Sequence, residues 1–209
     1  AVRAGFQALG VRRGDRVVAL VPNSPEALIA FLAAASLGAT WSSCSPDFGA
    51  RAIADRFTQI SPTVLVAVDG YRYNGRAFDV RPTVQELRSE IPSLRATVVV
   101  DYVGGTPLPG AVTWDSLLAE HADAPLAFEP VPCDHPLWVL YSSGTTGLPK
   151  GIVQGHGGIV LEHLKMLALH SDLGPGDRFF WFTTTGWMMW NFLVSGLLVG
   201  STVVLFDGS

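Results

Sequence analysis

Residues Tyr141 to Gly151 crowd four aliphatic hydroxyls, Ser142, Ser143, Thr145 and Thr146, around three glycines, Gly144, Gly147 and Gly151, and one lysine, Lys150. They follow an apolar run, Leu137 to Leu140, that reads as a buried strand. A loop of this kind offers backbone N–H groups, hydroxyl donors and one cation to a polyphosphate. Glycine lets the main chain approach an anion closely because no Cβ stands in the way. The spacing differs from G-x-x-x-x-G-K-[ST], since Pro149 precedes the lysine where glycine is required and Gly151 follows it where a hydroxyl is required. Lys150 and Lys165 are the only lysines, against twelve arginines, so a lysine in this loop does not come from a lysine-rich composition.

Other chemistry-bearing candidates are fewer. Arg72 and Arg76 flank Asn74-Gly75 just after a strand-like run. Thr183-Thr184-Thr185-Gly186 leads into Trp187, Met188 and Met189, where a helix begins and a carboxylate could meet its N–H groups. His156 lies in Gly155-His156-Gly157-Gly158, but no G-x-S-x-G nucleophile elbow accompanies it, so an esterase reading fails. His163 and His170 share a predicted helix without a third ligand nearby, and no metal site is expected. Cys44 and Cys133 lack C-x-x-C spacing and read as reduced thiols of a cytoplasmic protein.

The elements that must hold these residues alternate between apolar strands and helix-length segments. Strands are expected over Arg16–Val21, Ala39–Ser43, Thr63–Val68, Thr97–Val100, Leu137–Tyr141, Phe179–Thr183 and Thr202–Phe206. Helices are expected from Pro25, capped by Ser24 and closed by Gly38, and over Ala50–Ile60, Gly158–His170 and Trp187–Val199. The helix after Pro25 is apolar nearly all round and should be buried against a sheet. Continuous apolar strands separated by helices imply mainly parallel sheets flanked by helices, an α/β fold. Prolines 125, 130, 132 and 136 mark residues 122–136 as a linker, with one lobe at 1–121 and the start of a second at 137–209. Ligands of open α/β sheets bind beyond the carboxyl ends of strands, and the loop at 142–150, Asp69 to Arg72 and Thr184 to Trp187 all follow predicted strands.

A net charge of −4 gives no footprint for nucleic acid. The uncharged run from Phe179 to Phe206 is long enough to span a bilayer, but its Thr-Gly and Gly-Ser-Thr breaks divide it into strand, helix and strand, and no membrane insertion is expected.

The segment Tyr141–Gly151 resembles the phosphate-binding signature of the adenylate-forming enzymes, the superfamily of acyl-CoA synthetases, luciferases and peptide-synthetase adenylation domains. Trp41 to Gly49, Val68 to Arg76 and Phe180 to Asn191 are similar to the acetoacetate–CoA ligase branch of that superfamily. The resemblance implies part of the large N-terminal AMP-binding domain of such an enzyme, an internal fragment inactive by itself. It implies an acid–thiol ligase that joins acetoacetate to coenzyme A through an acyl-adenylate, releasing AMP and pyrophosphate from ATP. Acetate, propionate or another short acid is the alternative substrate, and a non-catalytic nucleotide-binding fragment is the alternative of another class. By the same resemblance, Ser142, Ser143, Gly144, Thr145, Thr146, Gly147 and Lys150 hold the ATP phosphates. Arg72 and Arg76 bind coenzyme A, although one more residue separates them than in related acetyl-CoA synthetases. Trp187, Met188 and Met189 line the acyl pocket. The family's catalytic lysine, its adenine and ribose contacts and its Mg²⁺ ligand are expected downstream of Ser209.

Overall fold

A computed structural model describes residues 1–142 and 147–208. In chain order its elements are α1 (Val2–Ala8), β1 (Arg16–Leu20), α2 (Pro25–Ser36), β2 (Thr40–Cys44), α3 (Ala50–Phe57), β3 (Val64–Val68), β4 (Gly70–Tyr73), β5 (Arg76–Asp79), α4 (Arg81–Glu90) and β6 (Ala96–Val100). There follow β7 (Val112–Thr113), α5 (Trp114–Glu120), β8 (Pro136–Ser142), β9 (Lys150–Gly155), α6 (His156–Leu164), β10 (Arg178–Phe180), α7 (Met188–Val194) and β11 (Thr202–Val204).

Seven strands make the main sheet in the order β7-β6-β3-β1-β2-β8-β9. All neighbours run parallel except β8 and β9, which form an antiparallel hairpin. The strand residues explain this. Every residue of β3 is buried, as are four of five in β1 and in β6, because both faces of the sheet are covered. Alternation then sorts the side chains. Val17, Ala19, Val64, Val66, Val68, Val98 and Val100 face one core with α1, α2 and α5. Val18, Leu20, Leu65 and Ala67 face the other with α3 and α4. Each such aliphatic side chain stabilises the fold by about 1.5–3 kcal/mol through burial.

Helix α2 has Pro25 at its first position and ends as the sequence suggests. Gly38 takes φ +66, and the N–H groups of Gly38 and Ala39 reach back to the carbonyls of Ala35 and Ala34, a Schellman closure. Two expectations for this helix change. Ser24 occupies the N-cap position, but its buried hydroxyl makes no capping bond. One side of the helix faces outward, leaving Ile29 and Leu32 exposed, because the buried stripe of Ala27, Ala30, Phe31, Ala33 and Ala34 is what meets the core.

The proline-rich segment 122–136 is irregular until its last residue starts β8, and the sheet runs straight across it, since β8 pairs with β2 through Trp41 and Trp138. A separate two-stranded parallel sheet is made by β10 and β11. Phe179 to Phe206 therefore divides into strand, helix and strand, with α7 shorter than expected and followed by a 3₁₀ turn at Ser195–Val199. Among the described residues no helix is long and apolar enough to cross a membrane.

Candidate functional site

The parallel strands β1, β2, β3, β6 and β8 all end at one edge of the main sheet, and the candidate residues gather there. Ser142 is the last residue of β8 and pairs with Lys150, the first of β9. Strands β8 and β9 thus form a β-hairpin built into the sheet, so the element that follows the glycine–hydroxyl sequence is a strand and not a helix. Strand β9 went unread because Lys150 to Gly155 carries no alternating pattern and leaves Ile152 and Val153 exposed. Ser142, Gly147 and Lys150 are exposed, while Ser143, Gly144, Thr145 and Thr146 lie outside the described residues.

Sequence reasoning did not find what supports the hairpin. Gln59 donates to the carbonyl of Pro149 at 3.0 Å, and the Tyr141 hydroxyl donates to the carbonyl of Arg56 at 2.6 Å. The Arg56 guanidinium lies 5.2 Å from the centre of the Phe48 ring and 6.0 Å from that of Tyr141. Burial pushes the Cys44 thiol up to about 12 and the Tyr141 phenol well above its ordinary range, so both are neutral at pH 7. Of these groups beneath the loop, only Arg56 carries charge, which favours an anion above it.

Strands β4 and β5 form a second hairpin, closed by Asn74 at φ +48 and Gly75 at φ +73, the left-handed pair that a two-residue turn requires. Its base depends on Gly70, where a Cβ would lie 2.4 Å from the carbonyl oxygen of Phe78. Asp69 is structural: its carboxylate accepts the N–H groups of Tyr102 and Val103 at 2.8 and 3.0 Å. In the hairpin register Arg72 is opposite Ala77, and Tyr73 is opposite Arg76. The two arginines therefore project from opposite faces of the ribbon.

Arg72, with Tyr71 and Tyr73, lines a cleft of about 360 Å³ between the ends of β1 and β2 and those of the β10–β11 sheet. Asn23, Asp47, Thr184 and Asp207 also line it, whereas Arg76 does not. Burial, helped by the charge of Asp47, raises the Tyr71 phenol above its usual range. Trp187 and Met188 are exposed and Met189 is half-buried, and none of the three lines this cleft. Their turn is nevertheless fixed to the same edge. Thr185 donates to the carbonyl of Val21 at 2.6 Å, and Ser43 donates to the carbonyl of Thr185 at 2.7 Å. Trp190, next on α7, is fully buried beside Phe31 and Trp41.

Two histidines flagged by the sequence have packing roles. His163 shares a 2.5 Å hydrogen bond with Ser195 and packs against Trp138 and Phe192; burial lowers its pKa. His156 is lowered as well, first by burial and then by the neighbouring His135.

An anion-ready hairpin and an arginine-bearing cleft on one carboxyl edge of a parallel sheet fit a nucleotide-using enzyme. The AMP-binding enzyme family matches residues 1–209 throughout, and the chain belongs to that family. An acetoacetyl-coenzyme A synthetase of Rhizobium meliloti (strain 1021) is 47% identical over all of this chain and 32% of its own length. A malonamoyl-CoA synthetase of Penicillium aethiopicum is 45% identical over 99% of the chain and 30% of its own. Among solved structures, acetoacetyl-CoA synthetase from Streptomyces lividans superposes with a TM-score of 0.96 at 61% identity, covering 100% of this chain and 32% of that one. The chain thus spans about a third of the length of these relatives.

Proposed function

We propose that this chain is part of a cytoplasmic enzyme that joins acetoacetate to coenzyme A at the expense of ATP. The observation that carries the reading is the 61% identity with the Streptomyces synthetase over the whole of this chain. The free state of Cys44 and Cys133 supports a reducing compartment.

In this reading a carboxylate oxygen attacks the α-phosphorus of ATP, pyrophosphate leaves, and an acyl-adenylate forms. The coenzyme A thiolate then attacks the acyl carbon and AMP departs. Mg²⁺ enters with ATP as part of the substrate. Ser142, Ser143, Gly144, Thr145, Thr146, Gly147 and Lys150 hold the β- and γ-phosphates so that the carboxylate meets phosphorus in line, a role of positioning and charge stabilisation. The neutral Cys44 and Tyr141 and the Arg56 cation form a floor suited to that charge. Arg72 faces coenzyme A in the cleft, and Arg76 acts from the far side of its hairpin. Trp187, Met188 and Met189 bound the acyl group. In the longer enzyme residues 1–121 and 137–209 are read as two lobes joined by segment 122–136; the separate pairing of β10 with β11 supports a second lobe, although β8 and β9 join the main sheet.

The relative named for malonamate favours a second reading within the same chemistry. Acetoacetate and malonamate are both short acids with a carbonyl at C3, so the selected feature is that 3-oxo group. A donor built to meet it is left unpaired by butyrate, a larger penalty than the roughly 1–3 kcal/mol that one methylene contributes. The test is acid-dependent exchange of pyrophosphate into ATP by the full-length protein with acetoacetate, malonamate, butyrate and acetate. Acetoacetate should be used best; equal use of acetate or butyrate would overturn the substrate assignment.

A further inference from the structure

Asn23, between β1 and α2, is buried although it lines the cleft, and both ends of its carboxamide are in use. Its oxygen accepts the indole N–H of Trp190 at 3.0 Å, and its nitrogen donates to the backbone carbonyl of Phe206 at 3.3 Å. Trp190 anchors α7 in the aromatic core, and Phe206 lies just past β11 on the opposite wall of the cleft. Beside Phe206, Asp207 accepts the Tyr102 hydroxyl at 2.7 Å. Side chains following β1 and β6 thus strap the end of the small sheet to the large one.

We infer that Asn23 is a positioning residue that fixes the width of the cleft by joining α7 and the end of β11 to the carboxyl end of β1. Only an amide of this length presents an acceptor and a donor in opposite directions at that point. A carboxylate keeps the acceptor for Trp190 but faces the Phe206 carbonyl with a second oxygen, and an aliphatic side chain loses both bonds. The ligand affected is the one that Arg72, Tyr71 and Tyr73 meet, an anion bearing a stackable ring; identifying it as coenzyme A rests on the function proposed above. The segment that holds ATP phosphates lies between β8 and β9, which are braced instead by Tyr141 on the Arg56 carbonyl and Gln59 on the Pro149 carbonyl.

The experiment compares full-length wild type with Asn23→Leu and Trp190→Phe, using the short acid that wild type activates best. Asn23→Leu should raise the KM for coenzyme A about tenfold, at least five times more than the KM for ATP. Trp190→Phe, which keeps a ring and leaves the Phe206 bond in place, should move it in the same direction by less. Hydrogen exchange of the Trp190 indole N–H, measured without substrates, should quicken at least tenfold in Asn23→Leu. If wild type fails to use acetoacetate, the function proposal falls while the exchange measurement still tests the strap. Unchanged indole exchange, or equal changes in the two KM values, overturns the inference. If Asn23→Leu does not fold, Trp190→Phe decides, and an unchanged KM for coenzyme A in that variant overturns it.

Discussion

The two hairpins at the carboxyl edge use the same element in opposite ways. The β8–β9 hairpin is continuous with the main sheet, and among the described residues its outermost pair is Ser142 with Lys150, the two ends of the glycine–hydroxyl sequence. The β4–β5 hairpin pairs with no other strand among the described residues, closes through a two-residue turn and leaves all of β5 exposed. A base fixed in the sheet holds both ends of a glycine-rich sequence, which suits an anion gripped by the main chain. A tight turn on a free ribbon brings Tyr71, Arg72 and Tyr73 to one cleft, which suits a ligand met by side chains. Anchoring therefore separates a backbone site from a side-chain site, a difference consistent with the ATP and coenzyme A roles proposed above.

The largest effect expected is at the anchored hairpin. Lys150 is exposed, so Lys150→Ala in the full-length protein should leave the fold intact and lower kcat/KM for ATP by about tenfold to a hundredfold, the roughly 1.5–3 kcal/mol of a charge-assisted contact. Unchanged ATP kinetics would mean that this hairpin does not grip the phosphates through its cation. The free hairpin supplies a smaller and more pointed test. Arg72→Ala should raise the KM for coenzyme A about tenfold and Arg76→Ala about twofold or less, because Arg72 lines the cleft and Arg76, at the turn, does not. Equal effects would show that Arg76 also meets the ligand and would break the comparison.

The smallest effect is a pH dependence confined to the anchored side. His163 packs beneath β8 against Trp138, and burial depresses its pKa below the ordinary histidine value. Its stabilising contribution is complete above the unfolded pKa of about 6.5 and is lost as pH falls through the folded value, since the unfolded chain binds the proton more readily. The urea midpoint of wild type should therefore drop on acidification from pH 7 to pH 5, and His163→Gln should flatten part of that slope. His156, depressed for the same reason, supplies a further part. An identical slope in the variant would remove His163 from this account.

Much of the sheet was legible because β1, β3 and β6 are runs of apolar residues whose composition alone dictates burial on both faces. The hairpins were not. Asn74-Gly75 is a strong two-residue turn signal, but the flanking residues show no apolar alternation, since the ribbon packs against little. Helix α5 hid in a short segment whose start is marked by Thr113, which accepts the N–H of Ser116. The loop residues and Arg72 could be named from type and spacing. Asn23, Tyr102 and Gln59 could not, because their partners lie 183, 105 and 90 residues away and leave no local trace.

The pairing of β2 with β8 also sets a timetable for synthesis. Ser42 donates to the carbonyl of Val139, 97 residues further on, and Trp41 faces Trp138 across the same join. At the roughly 5–20 residues per second of a ribosome, that interval is on the order of ten seconds. During it β2 is an open edge and Trp41 lacks its partner, so the nascent chain displays an adhesive strand until β8 emerges. Yield on expression should accordingly respond to growth temperature and chaperone supply more than the buried sheet of the finished protein would suggest.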